Sequence, residues 1–311
     1  GAPEVIAVEC DGERSGKAAA VNDAVEHAAG EVVALIDADH RFEAGAVERA
    51  VRRLTATENV WCVKGRCYGR NSTDSLVALY ATVERHMMEK ADLFAREVYG
   101  GFTLLDGGQA FFRREVFDVL GGFDEEMLLE DIDMSARLHE AGKRVRVDPG
   151  VVTYEEQPTT LRGWWAQRKR WARGWLQVSV RYLDRLARSS RPSLATRLDA
   201  VYTFVTALAF PFLVVGMGLP LVDLLQPTSA YIPHSEEIWL LVGAFPPLVT
   251  CAVFLDDRRA GREHCRREWL AALTIGPILV VNTFTYVVAF IEEFVARRPA
   301  VFVTTSRSGD D

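Results

Sequence analysis

The stretch Val32-Val33-Ala34-Leu35-Ile36-Asp37-Ala38-Asp39 joins an apolar run to two carboxylates that are separated by one residue. A strand without polar residues is typical of a parallel sheet that helices cover on both faces. We therefore predict a fully buried parallel strand over 32–36. Because ligands of open α/β sheets bind beyond the carboxyl ends of the strands, we expect Asp37 and Asp39 at a ligand site.

Strand-like and helix-like segments alternate around this run. The pattern predicts a strand at 5–8 with a turn at 11–12, a helix at 17–29, a helix at 44–54 and a strand at 60–63. It then predicts a helical region at 75–97, a loop at Gly107-Gly108 and a strand at 143–147. This alternation is typical of an α/β fold with an open sheet.

Two carboxylates on one turn supply the oxygen ligands that suit Mg²⁺ or Mn²⁺, and such an ion would also hold a nucleoside diphosphate. A calcium-binding loop is excluded, because Arg41 and Phe42 replace residues that such a loop needs. An isolated Asp-x-Asp pair is common, so this motif alone leaves a plain surface turn open.

Two further candidate site residues, Asp131 and Lys17, each have both a functional and a purely structural explanation. Acidic residues crowd into 125–133 before a helix-like segment, where Asp131 could act as a catalytic base. Carboxylates at this position also simply favour the start of a helix. Lys17 could place an ammonium beside a phosphate, although the spacing from Gly12 does not match a Walker loop, or it could be a surface lysine that begins a helix.

Residues 160–186 form a basic, tryptophan-rich amphipathic stretch. Gln167, Arg170 and Trp171 fall on one side of the predicted helix, at positions i, i+3 and i+4. An arginine there can bind a diphosphate bidentately, and a tryptophan can stack on the apolar face of a sugar. The same composition is typical of a helix that lies in a membrane interface.

Three apolar segments follow, near 200–222, 238–255 and 269–291. Each approaches the ~20 residues that span a bilayer. The loop at 256–267 is rich in arginine and the loop at 223–237 has none, which predicts a cytoplasmic side for the former. Three full spans would put the arginines of the tail on the other side, so either one segment is re-entrant or the tail breaks the rule.

Charge is distributed unevenly along the 311 residues. The formal charge is −12 over residues 1–160 and +5 over residues 161–311, which gives the net −7. This profile argues against nucleic-acid binding and favours a basic half that faces a membrane surface or phosphates. The five cysteines have no metal-ligand spacing and are odd in number, so we expect a reducing compartment for the soluble part. We find no signal peptide pattern.

Taken in order, the motifs resemble those of the processive inverting family 2 glycosyltransferases, which include hyaluronan, chitin, cellulose and poly-N-acetylglucosamine synthases. The matching stretches are Gly16-Lys17-Ala18-Ala19-Ala20-Val21-Asn22, Asp37-Ala38-Asp39, Gly107-Gly108-Gln109-Ala110-Phe111-Phe112-Arg113-Arg114, Gly121-Gly122-Phe123-Asp124-Glu125, Glu130-Asp131 and Gln167 to Trp171. The tail at 301–307 resembles a family C-terminal stretch more loosely. Each motif alone is weak, whereas the ordered set is specific.

The resemblance implies a role for each site residue. Asp131 would deprotonate the acceptor hydroxyl, and Asp39 with Asp37 would hold Mg²⁺ or Mn²⁺ and the diphosphate. The expected substrate-binding residues are Asp37 and Glu130, Lys17 at the nucleotide, Gln167 and Arg170 at the diphosphate, and Trp171 under the acceptor sugar. The implied partners are a nucleotide-diphospho-sugar donor, expected to be a UDP-sugar, a glycan or lipid-linked acceptor, and a lipid bilayer.

The resemblance also implies an architecture. We expect a GT-A-like, Rossmann-like α/β catalytic domain at 1–158 and an interfacial amphipathic region at 159–198. A transmembrane region of two to three helices at 199–292 and a tail at 293–311 would follow. The protein would be a multi-pass protein of the cell membrane with a cytoplasmic catalytic domain.

One departure from the family pattern is large. Family members begin with a strand whose terminal aspartate contacts the nucleotide base, and no such strand precedes Gly1, so we expect the natural N-terminus to lie upstream. Two alternatives remain at this point. The protein could add one sugar to a lipid-linked acceptor without processivity, or it could be a catalytically silent subunit of a membrane assembly.

Overall fold

The computed structural model describes residues 4–9, 16–225 and 235–299. Cys10, the expected turn at 11–12, most of the 223–237 loop and the tail motif at 301–307 lie outside these ranges. The four described cysteines, Cys62, Cys67, Cys251 and Cys265, are free thiols.

The N-terminal half alternates helices with strands. Its elements are α1 Lys17–His27, β1 Val32–Ile36, β2 Arg41–Phe42, α2 Ala46–Thr55, β3 Val60–Gly69, α3 Leu76–Met88, α4 Ala95–Tyr99, β4 Gln109–Arg113, α5 Glu115–Leu120, α6 Glu130–Glu140 and β5 Arg144–Glu155. A π-helical segment, Glu89–Phe94, joins α3 to α4, so the helical region expected at 75–97 is confirmed. The other expected helices and strands between residues 17 and 147 are present as well, although β3 and β5 are longer than expected and end at Gly69 and Glu155.

The five strands form one mixed sheet in the order β1-β4-β3-β5-β2. Only β3 and β5 are parallel to each other, and the other neighbouring pairs are antiparallel. The expectation of a fully buried parallel strand at 32–36 was therefore wrong. β1 runs antiparallel to β4 and Ile36 is 44% exposed, because an apolar run indicates a strand but not its direction or the cover on its faces.

The strand expected at 5–8 is also absent, since residues 4–9 have no regular secondary structure. Val5 is 91% exposed, and no described strand pairs with this segment. An apolar run becomes a strand only where a neighbouring strand satisfies its backbone groups, and residues 4–9 have no such neighbour among the described residues.

The C-terminal half is helical. Its elements are α7 Leu161–Arg188, α8 Leu194–Leu225, α9 Ser235–Arg259, α10 Arg266–Leu273, α11 Gly276–Phe290 and a π-helical end at Ile291–Val295. Two stretches are long and apolar enough to cross a membrane, Leu194–Gly216 and Gly276–Val295, and only 17% of each is buried inside the protein. By length and composition alone, these two stretches are candidates for membrane association.

α7 connects the two halves. One of its faces packs with α6 and α8 in a core cluster that includes Leu129, Ile132, Val178 and Phe204. Another face packs on α11 through Ala172, Leu176 and Ala289. The helix expected at 160–186 therefore holds the N-terminal half against both candidate spans.

Candidate active site

A cavity of about 560 Å³ lies where β1, α6 and α7 converge. Its walls are formed by segments that are far apart in the sequence. All predicted site residues line it: Lys17, Asp37, Asp39, Glu130, Asp131, Gln167, Arg170 and Trp171. The sequence motifs therefore mark one continuous site.

The Asp-x-Asp turn leaves β1 at the edge of this cavity. The backbone N–H of Asp37 donates to the carbonyl of Gly108 at 2.8 Å, and Asp39 Oδ2 accepts from the backbone N–H of Glu156 at 3.1 Å. One ligand atom each of Asp37, Asp39 and His40 lies within 4.8 Å of the other two. Two carboxylates and an imidazole are a donor set that fits a divalent cation.

Lys17 is the first residue of α1, and its ammonium lies between a carboxylate of the Asp-x-Asp turn and one of α6. Its Nζ is 2.7 Å from Asp37 Oδ1 and 3.7 Å from Glu130 Oε1. Burial lowers the pKa of Lys17, but the neighbouring Asp37 and Glu130 outweigh burial and raise it above its ordinary value. The ammonium therefore stays charged between the Asp-x-Asp turn and α6.

Asp131 lies half-buried in the first turn of α6. Its Oδ1 accepts from the backbone N–H of Ile132 at 2.8 Å. Burial, followed by repulsion from Glu130, raises the pKa of Asp131 to about 7, while Lys17 opposes the shift. A carboxylate whose pKa lies near neutrality can accept a proton and still be ionised in a useful fraction of molecules.

The loop before β4 is fitted closely to this carboxylate. Ser135 Oγ donates to the Asp131 carbonyl at 2.8 Å and accepts from the backbone N–H of Leu105 at 2.8 Å. Gly107 adopts a left-handed φ of 67°, and a Cβ atom there would lie 3.3 Å from Asp131 Oδ2. A glycine at this position lets the backbone pass beside the carboxylate.

The far wall of the cavity comes from α7. Gln167, Arg170 and Trp171 share one face of the helix, as their spacing predicted. Arg170 Nη1 donates to the carbonyl of Leu128 at 3.3 Å, and Gln167 Oε1 is buried with no hydrogen-bond partner among the described residues. Burial lowers the pKa of Arg170, against the attraction of Glu130, Asp131 and Asp37.

Sequence reasoning missed an ionic network under the cavity. Arg85 lies 2.5 Å from Asp106 and 2.9 Å from Glu155, and the buried Lys64 lies 2.7 Å from Asp106 and 2.6 Å from Glu89. The available signal was Lys64 directly after the apolar run at 60–63 of β3, since a charge is rarely buried unless it is paired.

It also missed Arg168, which lies next to Gln167 in the sequence. Its guanidinium stacks over the Trp171 ring at 4.4 Å from the centroid and pairs with the buried Glu84 at 2.9 Å. The signal here was the i, i+3 spacing of an arginine and a tryptophan on one helix.

Several known proteins are similar to this chain in sequence. A "Probable glycosyltransferase YdaM" of Bacillus subtilis is 29% identical over 197 residues, which are 63% of this chain and 46% of the relative. A "Poly-beta-1,6-N-acetyl-D-glucosamine synthase" of Staphylococcus aureus is 28% identical over 169 residues, 54% of this chain and 41% of the relative. The chain thus spans less than half the length of these curated relatives.

A solved structure shares the fold. It is a mannosyltransferase from Pyrobaculum calidifontis in complex with GDP-Man and Mn²⁺, with a TM-score of 0.50 and 21% identity over 93% of this chain and 69% of that one. The family model described as "Glycosyl transferase family group 2" matches residues 32–256. With nearly three quarters of its length under that model, this chain belongs to the family 2 glycosyltransferases, a group of transferase enzymes.

Proposed function

We propose that the protein transfers a sugar from a nucleoside diphosphate sugar to a hydroxyl of a glycan, with inversion at the anomeric carbon. The observation that carries the proposal is the single cavity in which Asp131, the Asp37–Asp39 turn and the Arg170 face of α7 meet. The base, the diphosphate-binding groups and an aromatic platform lie within one substrate-sized volume.

We assign deprotonation of the acceptor hydroxyl to Asp131. A sugar hydroxyl is a weak nucleophile, so a carboxylate must take its proton as the new bond to the anomeric carbon forms. The bond to the diphosphate breaks in the same displacement, and no covalent bond to the enzyme forms. The pKa of about 7 supports this role, because Asp131 is then ionised in about half of the molecules at neutral pH.

We assign stabilisation of the leaving diphosphate to the cationic and polar groups around it. Asp37 and Asp39 would hold Mg²⁺ or Mn²⁺, and the ion when bound would neutralise charge on the diphosphate. Arg170 and Lys17 would add positive charge, and the buried Gln167 would supply an amide at the same wall. Glu130 would bind the substrate beside Asp131, and Trp171 would stack on the acceptor sugar.

The acceptor is proposed to be a growing polysaccharide. Similarity to a synthase of poly-N-acetylglucosamine and the Gln167–Trp171 motif support this choice over a single transfer to a lipid-linked acceptor. We propose a UDP-sugar as the donor, on the family resemblance alone. We further propose the division into a catalytic part at 1–158, an interfacial part at 159–198, a multi-pass membrane part at 199–292 and a tail at 293–311, with the catalytic part in the cytoplasm.

The test is release of nucleoside diphosphate by the purified full chain from a panel of nucleotide sugars with Mn²⁺ or Mg²⁺. We expect release from one donor, and its loss in Asp131→Asn and Asp39→Ala. Asp118→Asn is the matched control, because Asp118 is exposed on α5 and does not line the cavity. Release by Asp131→Asn at the wild-type rate would remove Asp131 from the role of base.

Product length then distinguishes the remaining functions. A ladder of long chains on a gel supports a polysaccharide synthase, whereas a product longer by one sugar supports the non-processive alternative. Absence of release from every donor by a folded protein would favour the silent membrane subunit.

A further inference from the structure

His40 follows the Asp-x-Asp turn and is buried, with its side chain 1% exposed. Its Nε2 lies 3.0 Å from Glu155 Oε2, at the end of β5. Its other ring nitrogen, Nδ1, is buried and has no hydrogen-bond partner among the described residues. A buried polar atom without a partner costs free energy, so this nitrogen calls for a physical explanation.

The protonation pattern of the ring follows from its neighbours. Glu155 Oε1 accepts from Gln157 Nε2 at 2.6 Å and lies 2.9 Å from the Arg85 guanidinium, so Glu155 is held as a carboxylate among donors. A carboxylate can only accept hydrogen bonds, and His40 Nε2 must therefore donate to it. In the neutral imidazole this leaves a lone pair on Nδ1.

The ring is also fixed in position. Gly108 lies flush against it, since a Cβ atom at Gly108 would lie 2.4 Å from His40 Nε2 and 3.3 Å from Nδ1. The backbone N–H of His40 donates to the Asp37 carbonyl at 3.0 Å, which ties the residue to the Asp-x-Asp turn. The contacts with Glu155 and Gly108 restrict the imidazole to one orientation.

A ring nitrogen of His40 lies within 4.8 Å of carboxylate oxygens of both Asp37 and Asp39. A histidine that ligates a metal typically donates its other ring N–H to a carboxylate, which orients the ring and raises its basicity. We propose that His40 is a third, nitrogen ligand of the divalent cation held by Asp37 and Asp39, with Glu155 as the residue that positions its ring. The role of that ion in catalysis rests on the proposed function, whereas its ligation by His40 does not.

The nitrogen ligand has a consequence for metal preference. Mg²⁺ favours oxygen ligands, whereas imidazole favours first-row transition metals. The site should therefore bind Mn²⁺ or Co²⁺ more tightly than Mg²⁺.

A second cluster shares His40 and must be separated from the first. Ligand atoms of His40, Cys67 and Glu155 also lie within 4.8 Å of one another. Two variants distinguish the clusters, because Asp39 belongs only to the first and the buried Cys67 only to the second.

The experiment measures metal binding without turnover. The purified full chain is loaded with Mn²⁺ in the presence of pyrophosphate, which contains no nitrogen, and examined by pulsed electron paramagnetic resonance. We expect a directly bound nitrogen in the echo modulation, and a change in that modulation when the histidines carry ¹⁵N. Bound Mn²⁺ without this coupling, or no Mn²⁺ binding, overturns the proposal even if the protein is an active transferase.

Affinities provide the second readout. We expect His40→Phe, which keeps a ring against Gly108, to weaken Mn²⁺ binding by about 10- to 100-fold, and Glu155→Gln by a similar factor. Mg²⁺ affinity, measured by competition, should change much less in His40→Phe. Asp39→Ala should weaken Mn²⁺ binding, and Cys67→Ser should leave it unchanged. The reverse result for Asp39→Ala and Cys67→Ser would place the ion in the second cluster and overturn the proposal.

Discussion

At the scale of single residues, the pH dependence of turnover should follow the ionisation of Asp131. Its pKa of about 7 arises from burial and from the neighbouring Glu130. A general base must be deprotonated, so activity is present above this pKa and lost as the pH falls through it. Because kcat/KM follows the pKa values of the free enzyme, we expect kcat/KM at pH 6 to be about one tenth of that at pH 8, in a steady-state pH profile.

The variant Glu130→Gln tests why activity is lost at low pH, on the acid limb of the profile. Removing the Glu130 charge lowers the pKa of Asp131, because like charges disfavour ionisation. The acid limb should therefore move to lower pH in Glu130→Gln and stay in place in the Asp118→Asn control. An unmoved limb in Glu130→Gln would mean that another group limits activity on the acid side.

Arg168 should act on the acceptor through Trp171. It stacks on the Trp171 ring at 4.4 Å and is held by Glu84, which also accepts from Asn282 of α11 at 3.2 Å. Arg168→Lys keeps the charge beside Glu84 but loses the planar stack. We expect KM for the acceptor to rise about 3- to 30-fold, with little change in hydrolysis of the donor by water.

Initial rates against acceptor concentration, with donor hydrolysis measured separately, provide the check. An equal loss of transfer and hydrolysis would indicate general damage to the site instead of a misplaced tryptophan. Arg168→Met is less informative, because it leaves the Glu84 carboxylate buried without its charge partner.

At the scale of elements, the placement of α7 depends on Gly174. A Cβ atom at Gly174 would lie 2.4 Å from Leu129 Cγ, and Leu129 immediately precedes α6. Gly174→Ala must therefore push α7 away from the segment that carries Asp131. Overpacking of this kind costs about 1–3 kcal/mol, which exceeds the helix propensity of about 1 kcal/mol gained by alanine.

Thermal unfolding in detergent can measure this effect. Gly216→Ala is the matched control, because Gly216 is also helical and, among the described residues, no atom beyond the backbone of its own helix lies within 4 Å of its would-be Cβ. We expect a lower Tm for Gly174→Ala and an unchanged or higher Tm for the control. A Tm for Gly174→Ala at or above wild type would show that α7 tolerates the added methyl group.

The sequence predicts elements better than it predicts their partners. The spacing of Gln167, Arg170 and Trp171 placed them on one helical face, and they line one cavity. The apolar run at 32–36 predicted β1 but not its antiparallel pairing, because direction depends on β4, some 75 residues later. Local periodicity carries no information about such a partner.

The same reason explains the site residues that were missed. Arg85, Asp106 and Glu155 come from three segments, and their pairing exists only once α3, the Gly107 loop and β5 meet. His40 lies next to the Asp-x-Asp motif, yet its significance depends on Glu155, 115 residues away. The motif residues could be found from the sequence, whereas the residues that contact them become visible only in the fold.

At the scale of the whole molecule, a buried ionic cluster joins the N-terminal α/β half to the C-terminal helical half. Arg66 of β3 donates to both Asp257 oxygens, at 2.5 and 2.7 Å, near the end of α9. Lys90 and His264 also contact Asp257, each at 3.1 Å. Asp257 is fully buried, so losing its charge leaves Arg66 uncompensated in the interior.

Asp257→Asn should therefore destabilise the protein by about 3–5 kcal/mol at neutral pH. Burial alone would raise the pKa of Asp257, but His264 and Arg66 hold it well below its usual range. A carboxylate with a depressed pKa contributes stability above its unfolded pKa of about 4, and the contribution is lost as the pH falls below that value. The difference in Tm between wild type and Asp257→Asn should thus be largest near pH 7 and shrink below about pH 4.

The adjacent Asp256 supplies the control for this link. Its side chain is 55% exposed and pairs with Lys90 at the surface, and such exposed pairs contribute about 0–1 kcal/mol. Asp256→Asn should leave the Tm within a few degrees of wild type at every pH. If both variants lowered the Tm equally, net charge near α9 would matter and the buried contact with Arg66 would not. If only Asp257→Asn did so, the buried contact between β3 and α9 would be shown to stabilise the protein.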